Sequence, residues 1–83
     1  MELIIISPNH TESHFVAWIS AQTPLGNFVI QPEHVPTVLL LSANQELVFC
    51  LKNGKQQSLL VSSGILEVTR TYATLILNQP LHL

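Results

Sequence analysis

Residues 46–62 read ELVFCLKNGKQQSLLVS. Two apolar-rich runs, Glu46 to Lys52 and Lys55 to Ser62, flank the pair Asn53-Gly54. Asn-Gly is the preferred centre of a type I′ turn, because both central residues of that turn need positive φ. The segment is therefore expected to be a β-hairpin. A two-residue loop sets Lys52 opposite Lys55, a mildly unfavourable like-charge pair; a four-residue loop spanning Lys52 to Lys55 keeps the same pairing further in. Both faces mix polar and apolar residues, so the pattern leaves open which one is buried.

The flanking sequence repeats the pattern of short strand and turn. After the hairpin, Ser62-Ser63-Gly64 turns the chain into a strand from Ile65 to Thr69. Thr69-Arg70-Thr71 turns it again into a last strand, Tyr72 to Leu77, which Asn78-Gln79-Pro80 ends. Leu81-His82-Leu83 is expected to be frayed or loosely docked. Before the hairpin, Thr37 to Leu41 is a short continuous apolar run between Pro36 and Ser42-Ala43-Asn44, read as a buried strand or extended segment. Gly26 to Pro36, GNFVIQPEHVP, is a strand from Asn27 to Ile30 that stops at Gln31-Pro32 and leads into a loop bracketed by two prolines. Ser13 to Gln22 alternates, with Phe15, Ala17, Ile19 and Ala21 on the face expected to be dry. Thr23-Pro24-Leu25-Gly26 supplies its turn. Leu3 to Ile6 is a first strand closed by Ser7-Pro8-Asn9. About eight short strands with frequent turn signals and no amphipathic helix predict an all-β fold: one domain over residues 1–83, a small β-sandwich of eight to ten short, mostly antiparallel strands.

Composition narrows the function classes. Charged residues make up 10% of the 83, against about 25% in an ordinary soluble domain. Either uncharged polar residues cover the surface, or a partner covers apolar surface. The three basic residues, Lys52, Lys55 and Arg70, form no stripe, which argues against nucleic acid. No apolar run is long enough for a transmembrane helix, and Glu2 with the short Ile4-Ile5-Ile6 does not make a signal peptide, so the sequence predicts a cytoplasmic protein.

The residues that carry chemistry elsewhere do not assemble here. His10 and His14 share a strand face but stand about 13 Å apart along it, and His34 and His82 lie far off in sequence. A single thiol, Cys50, rules out both an internal disulfide and a thiolate zinc cluster, and its mid-strand place predicts a buried free cysteine. Ser62-Ser63-Gly64 lacks the setting of a nucleophile elbow. The five glutamates are scattered. Trp18 is expected to pack in the core. No enzyme, cofactor or metal is predicted.

Two stretches carry a resemblance. Gly26-Asn27-Phe28-Val29-Ile30-Gln31-Pro32-Glu33-His34-Val35-Pro36 is similar to the glycine, apolar pair and Leu-Pro-Gly-His-Ala-Pro of the epsilon subunit of F-type rotary ATP synthases. Val61-Ser62-Ser63-Gly64-Ile65-Leu66-Glu67-Val68 is similar to its Val-Ser-Gly-Gly-Phe-Leu-Glu-Val stretch. In order and spacing, nearly the whole chain resembles that family's N-terminal β-sandwich. The resemblance implies a non-catalytic rotor subunit of the central stalk, binding the gamma subunit and the c-ring and helping couple ion translocation to ATP synthesis. It implies a peripheral place on the inner face of the cell membrane, reached only through the complex. It implies a partner contact through Gly26, Asn27, Phe28, Gln31, Pro32, Glu33 and His34. The family commonly continues into a regulatory C-terminal helical hairpin, which these 83 residues lack. Two loop positions depart from the family: Glu33 stands where glycine is usual, and Ala43-Asn44 replaces Pro-Gly. If position 33 needs positive φ, glutamate costs about 1 kcal/mol there and the loop could take another shape; asparagine tolerates the left-handed conformation. A diverged stand-alone binding module on the same sandwich, with a different partner, stays open.

Overall fold

A computed structural model describes residues 1–79. The expectation for the chain end, including His82, lies outside the described residues. Eight strands form: β1 (Glu2–Ser7), β2 (His10–Thr23), β3 (Gly26–Ile30), β4 (Thr37–Leu40), β5 (Gln45–Leu51), β6 (Gln56–Val61), β7 (Gly64–Val68) and β8 (Tyr72–Leu77). Among the described residues there is no helix. The hydrogen-bonded order is β4-β7-β8-β1-β2-β5-β6, with β3 also on β2. All pairs are antiparallel except β1 with β8. The molecule measures 28 × 28 × 19 Å, and 19 Å is the thickness of two sheets about 10 Å apart with their outer side chains.

One strand makes the two layers. The first half of β2 pairs with β1 from His10 to Phe15, while its second half pairs with β5 on one side and β3 on the other. The change of partner coincides with a shift of register between Val16 and Trp18. A β-bulge inserts one unpaired residue, bends the strand and reverses which parity points inward. Burial follows: Val16 is fully buried before the bulge, and Ile19 and Ala21 after it. This corrects the single dry face expected from alternation. Phe15 and Ala17 are exposed, although Ile19 and Ala21 are buried as expected.

The core fills the gap between the layers. Leu3, Ile5, Leu39, Leu66, Val68, Ala73, Leu75 and Leu77 come from the β4-β7-β8-β1 layer; Ile19, Ala21, Ile30, Leu47, Phe49 and Val61 come from the other. On the β5–β6 hairpin the inward face is thereby settled: Leu47, Phe49 and Val61 point in. Its turn is neither of the two expected. Cys50 pairs with Gln56, Leu51 N–H donates to Lys55 C=O at 2.8 Å, and Gly54 N–H donates to Leu51 C=O at 2.9 Å. Only Gly54 of the central pair has positive φ, +92°; Asn53 does not. This is a three-residue loop, a type I turn followed by a left-handed glycine. It shifts the register by one residue and takes Lys52 out of line with Lys55. Gly64, at the start of β7, has a different reason to be glycine: a Cβ there would meet Leu77 Cδ2 at 3.1 Å and Ile76 O at 3.3 Å.

The bulge has a measurable consequence. Ile19→Ala should cost roughly 2–5 kcal/mol in urea unfolding, whereas Phe15→Ala, at an exposed site, should stay within about 1 kcal/mol. Equal losses at the two positions would mean a regular strand with one dry face, and no bulge.

Candidate functional site

The predicted contact stretch divides into two turns at opposite ends of β3. Four residue steps separate Gly26 from Ile30, about 13 Å at strand rise. At one end, the β2–β3 hairpin turn is closed by the Thr23 hydroxyl, which donates to Gly26 C=O at 3.0 Å and accepts from Leu25 N–H at 3.1 Å. Gly26 takes a φ of +127°. Leu25, at the tip, is 91% exposed. Asn27 is exposed and its Oδ1 accepts from Ser20 Oγ at 3.1 Å, while Phe28 turns inward and packs against the core.

At the other end, His34 N–H donates to Gln31 C=O at 3.1 Å, closing a turn with Pro32 second and Glu33 third. Glu33 has a φ of +68°. Proline followed by a positive-φ residue is the signature of a type II turn, whose third position normally takes glycine or asparagine. The loop thus keeps the backbone shape that glycine would favour although glutamate occupies it. A tether holds it: Glu33 N–H donates to Arg70 C=O at 2.9 Å, tying this turn to the one between β7 and β8. The left-handed Asn44, φ +60°, shows the tolerance expected of asparagine. The His34 ring is engaged with its own chain, Nδ1–H donating to Val35 C=O at 2.8 Å, and the Thr37 hydroxyl donates to the same carbonyl at 2.7 Å. The structure therefore brings Gln31, Pro32, Glu33 and His34 together in one turn, and Gly26 and Asn27 in another.

A larger feature escaped the sequence reading. The outer face of the β4-β7-β8-β1 layer carries a continuous apolar row, because the registers set Leu40 beside Ile65, Ile65 beside Ile76 and Ile76 beside Ile6. All four are exposed, Leu40 at 65%. A second row runs Val38, Glu67, Thr74, Ile4, and a third sets Tyr72 and Phe15 on either side of Glu2. Only two charges, Glu2 and Glu67, interrupt it. The row joins residues from four strands scattered from position 6 to position 76, so only knowledge of strand order could have found it.

The groups surveyed for chemistry have structural surroundings. Glu12 stands between two histidines on β2: His14 Nε2 meets its Oε2, and His10 Nε2 lies 3.8 Å from its Oε1. The His14 ring also packs on Phe49, with centroids 5.2 Å apart. Among the described residues no group of three His, Cys, Asp or Glu could hold a metal ion. Cys50 is buried, as expected of a small hydrophobe, and lies opposite the half-buried Trp18. Among the described residues every buried side-chain N or O has a hydrogen-bond partner.

Comparison with known proteins places this geometry. The family model described as the β-sandwich domain of the ATP synthase delta/epsilon chain matches residues 1–80. Two solved structures share the fold. One is a chain in the cryo-EM structure of the Euglena gracilis mitochondrial ATP synthase (OSCP, F1 and c-ring, rotational state 1), with TM-score 0.81, 21% identity, and coverage of 93% of this chain and 49% of that one. The other is from the central stalk and c-ring of the Tetrahymena thermophila mitochondrial ATP synthase, with TM-score 0.79, 18% identity, and coverage of 95% and 63%. The chain thus spans about half of the first of these two chains and somewhat under two thirds of the second. No curated protein sequence matches it.

The strained turn yields a test. Glu33→Gly should relieve about 1 kcal/mol of left-handed strain and raise Tm by roughly 4–8 °C in a domain of this size. A fall in Tm would mean that the Glu33 side chain contributes more than its backbone costs.

Proposed function

Because the chain belongs to the ATP synthase delta/epsilon β-sandwich family, we propose that it is a non-catalytic rotor subunit of an F-type ATP synthase central stalk. In this reading it joins the gamma subunit to the c-ring and helps couple ion translocation to ATP synthesis. The observation that carries the reading is the outer face of the β4-β7-β8-β1 layer, an exposed apolar surface with two charges on four strands. Contiguous apolar surface of this kind is what a permanent partner covers. It also accounts for the low charge of the chain.

We assign gamma to that face and the c-ring to the tip of the β2–β3 hairpin, where Leu25 projects and Gly26 and Asn27 follow. The turn of Gln31, Pro32, Glu33 and His34 adjoins the β7–β8 turn, and at the other end of β3 Leu25 shares a pocket with Val38 and Leu40, so the two contacts would meet beside the hairpin tip. The mechanism is mechanical. A two-layer sheet with a dry core deforms little under load, so torque entering at the hairpin tip reaches gamma through the sandwich. The chain itself turns over no substrate. It sits in the cytoplasm and reaches the inner face of the membrane only through the complex.

Binding of the 83-residue chain to purified gamma, and to gamma on the c-ring, tests this. Leu40→Asp and Val38→Asp, both at exposed positions, should weaken gamma binding by about tenfold or more with little change in Tm. Asn27→Lys should reduce retention on the ring while leaving gamma binding intact, whereas Leu25→Asp, in the pocket it shares with Val38 and Leu40, should weaken both. Undiminished binding by all four variants, or a stable partner outside rotary ATPases, would overturn the assignment.

A further inference from the structure

We infer that the free chain pairs with a second copy of itself along the open edge of β6, antiparallel and centred on Ser58. The inference does not rest on the rotor reading, since it concerns an edge of the other layer and needs only the chain itself.

The edges among the described residues are β3, β4, β6 and the first half of β2, which pairs only with β1 and is guarded by the charge of Glu12 between His10 and His14. Soluble proteins guard such edges with shortness, charge, proline or bulges, because free backbone groups template further pairing. β4 has four residues and follows Pro36; β3 has five and stops before Pro32. β6 has six, Gln56-Gln57-Ser58-Leu59-Leu60-Val61, with no charge and no proline. Its pairing with β5 runs without a register shift over all six. Gln56, Gln57 and Ser58 are exposed, and Leu60 is 58% exposed.

The direction of the free groups fixes the register. Leu51 N–H donates to Lys55 C=O, so position 55 bonds toward β5. By the alternation of an antiparallel ladder, positions 57, 59 and 61 do the same, and the backbones of Gln56, Ser58 and Leu60 point outward. The Gln79 side chain confirms this at one end, where its Nε2 donates to Leu60 C=O at 2.9 Å from outside the sheet. Gln79 Oε1 also accepts from Ser62 N–H at 2.6 Å and from the Ser62 hydroxyl at 2.8 Å, which closes the edge beyond Leu60. Among the described residues Gln56, Ser58 and the Leu60 N–H remain open, and pairing that reaches Leu60 requires the Gln79 amide to swing aside.

A two-fold axis through Ser58 sets Ser58 opposite Ser58 of the second copy and Gln56 opposite Leu60. Outward-pointing groups then meet only outward-pointing groups. The two Ser58 residues exchange N–H and C=O bonds, and each Leu60 N–H meets a Gln56 C=O. A register slipped by one residue breaks this match. No like charges face each other, since Lys55 falls opposite Val61. This is an isologous contact of the kind that gives closed dimers.

Sedimentation equilibrium of the wild-type chain tests the inference. The apparent mass should rise from one chain toward two over about 10 µM to 1 mM, the range of small transient interfaces. Ser58→Lys, at an exposed position, should keep the monomer folded and weaken the dimer by about tenfold or more, because two lysines meet on the axis. Ser58→Pro removes only an outward N–H and should do the same. Under oxidation Ser58→Cys should cross-link two chains, whereas Val29→Cys on β3 and Val38→Cys on β4 should not. A monomer throughout the range, a dimer insensitive to Ser58→Lys, or cross-linking through β3 or β4 would each overturn it.

Discussion

The bulge between Val16 and Trp18 is the constraint on which the rest of the structure depends. A fourteen-residue strand that kept one parity would bury one face along its whole length and belong to one sheet. The extra residue bends β2 and exchanges its faces, so Val16 and Ile19 both reach the core although their parities differ. The β1 side and the β5 side can then stack as layers. Apolar side chains from the two layers face each other across the gap, and Ser7 and Thr23 are the buried polar residues among those described. A domain this small has little burial to spare, and using one strand in both layers avoids a connection that would bury nothing.

That economy leaves surfaces over. The strand order puts β1 between β2 and β8, and β7 between β8 and β4. Four strands from both ends of the chain thus share one outer face, and their outward residues are largely isoleucine, leucine and valine. In water such a face is an unfavourable exposure. Against a partner it becomes a flat contact whose specificity must come from its few polar groups: Glu67 between Val38 and Thr74, Glu2 between Tyr72 and Phe15, and the turn at Glu33 beside it. The strained φ of Glu33 fits this place: its backbone shape is held by the bond to Arg70, while its carboxylate remains exposed at the rim.

The hairpins show how local chemistry and tertiary demands divide the choice of structure. Asn53-Gly54 ensures a turn, but not which turn. A type I′ loop would pair Phe49 with Ser58; the observed loop pairs it with Gln57. The register that buries Leu47, Phe49 and Val61 together prevails over the turn that the dipeptide favours, since a slip of one residue would turn one strand's apolar set outward.

The sequence by itself determined that the chain is all-β and, to within a residue for all strands but β2, where the strands begin and end. Prolines, glycines and short β-branched runs act locally, so their effects are legible locally: the last strand, Tyr72 to Leu77, has the expected bounds. The two motifs, around Gly26 to Pro36 and Val61 to Val68, were enough to point to the family whose model matches residues 1–80. Tertiary structure alone decided the reversal of faces at Ala17, the hairpin register, and the grouping of Leu40, Ile65, Ile76 and Ile6 into one surface. It also separated the two halves of the stretch from Gly26 to His34 by the length of β3. These are matters of which strand lies beside which, and at what offset. They arise from burying the whole core at once, which no single stretch of sequence encodes.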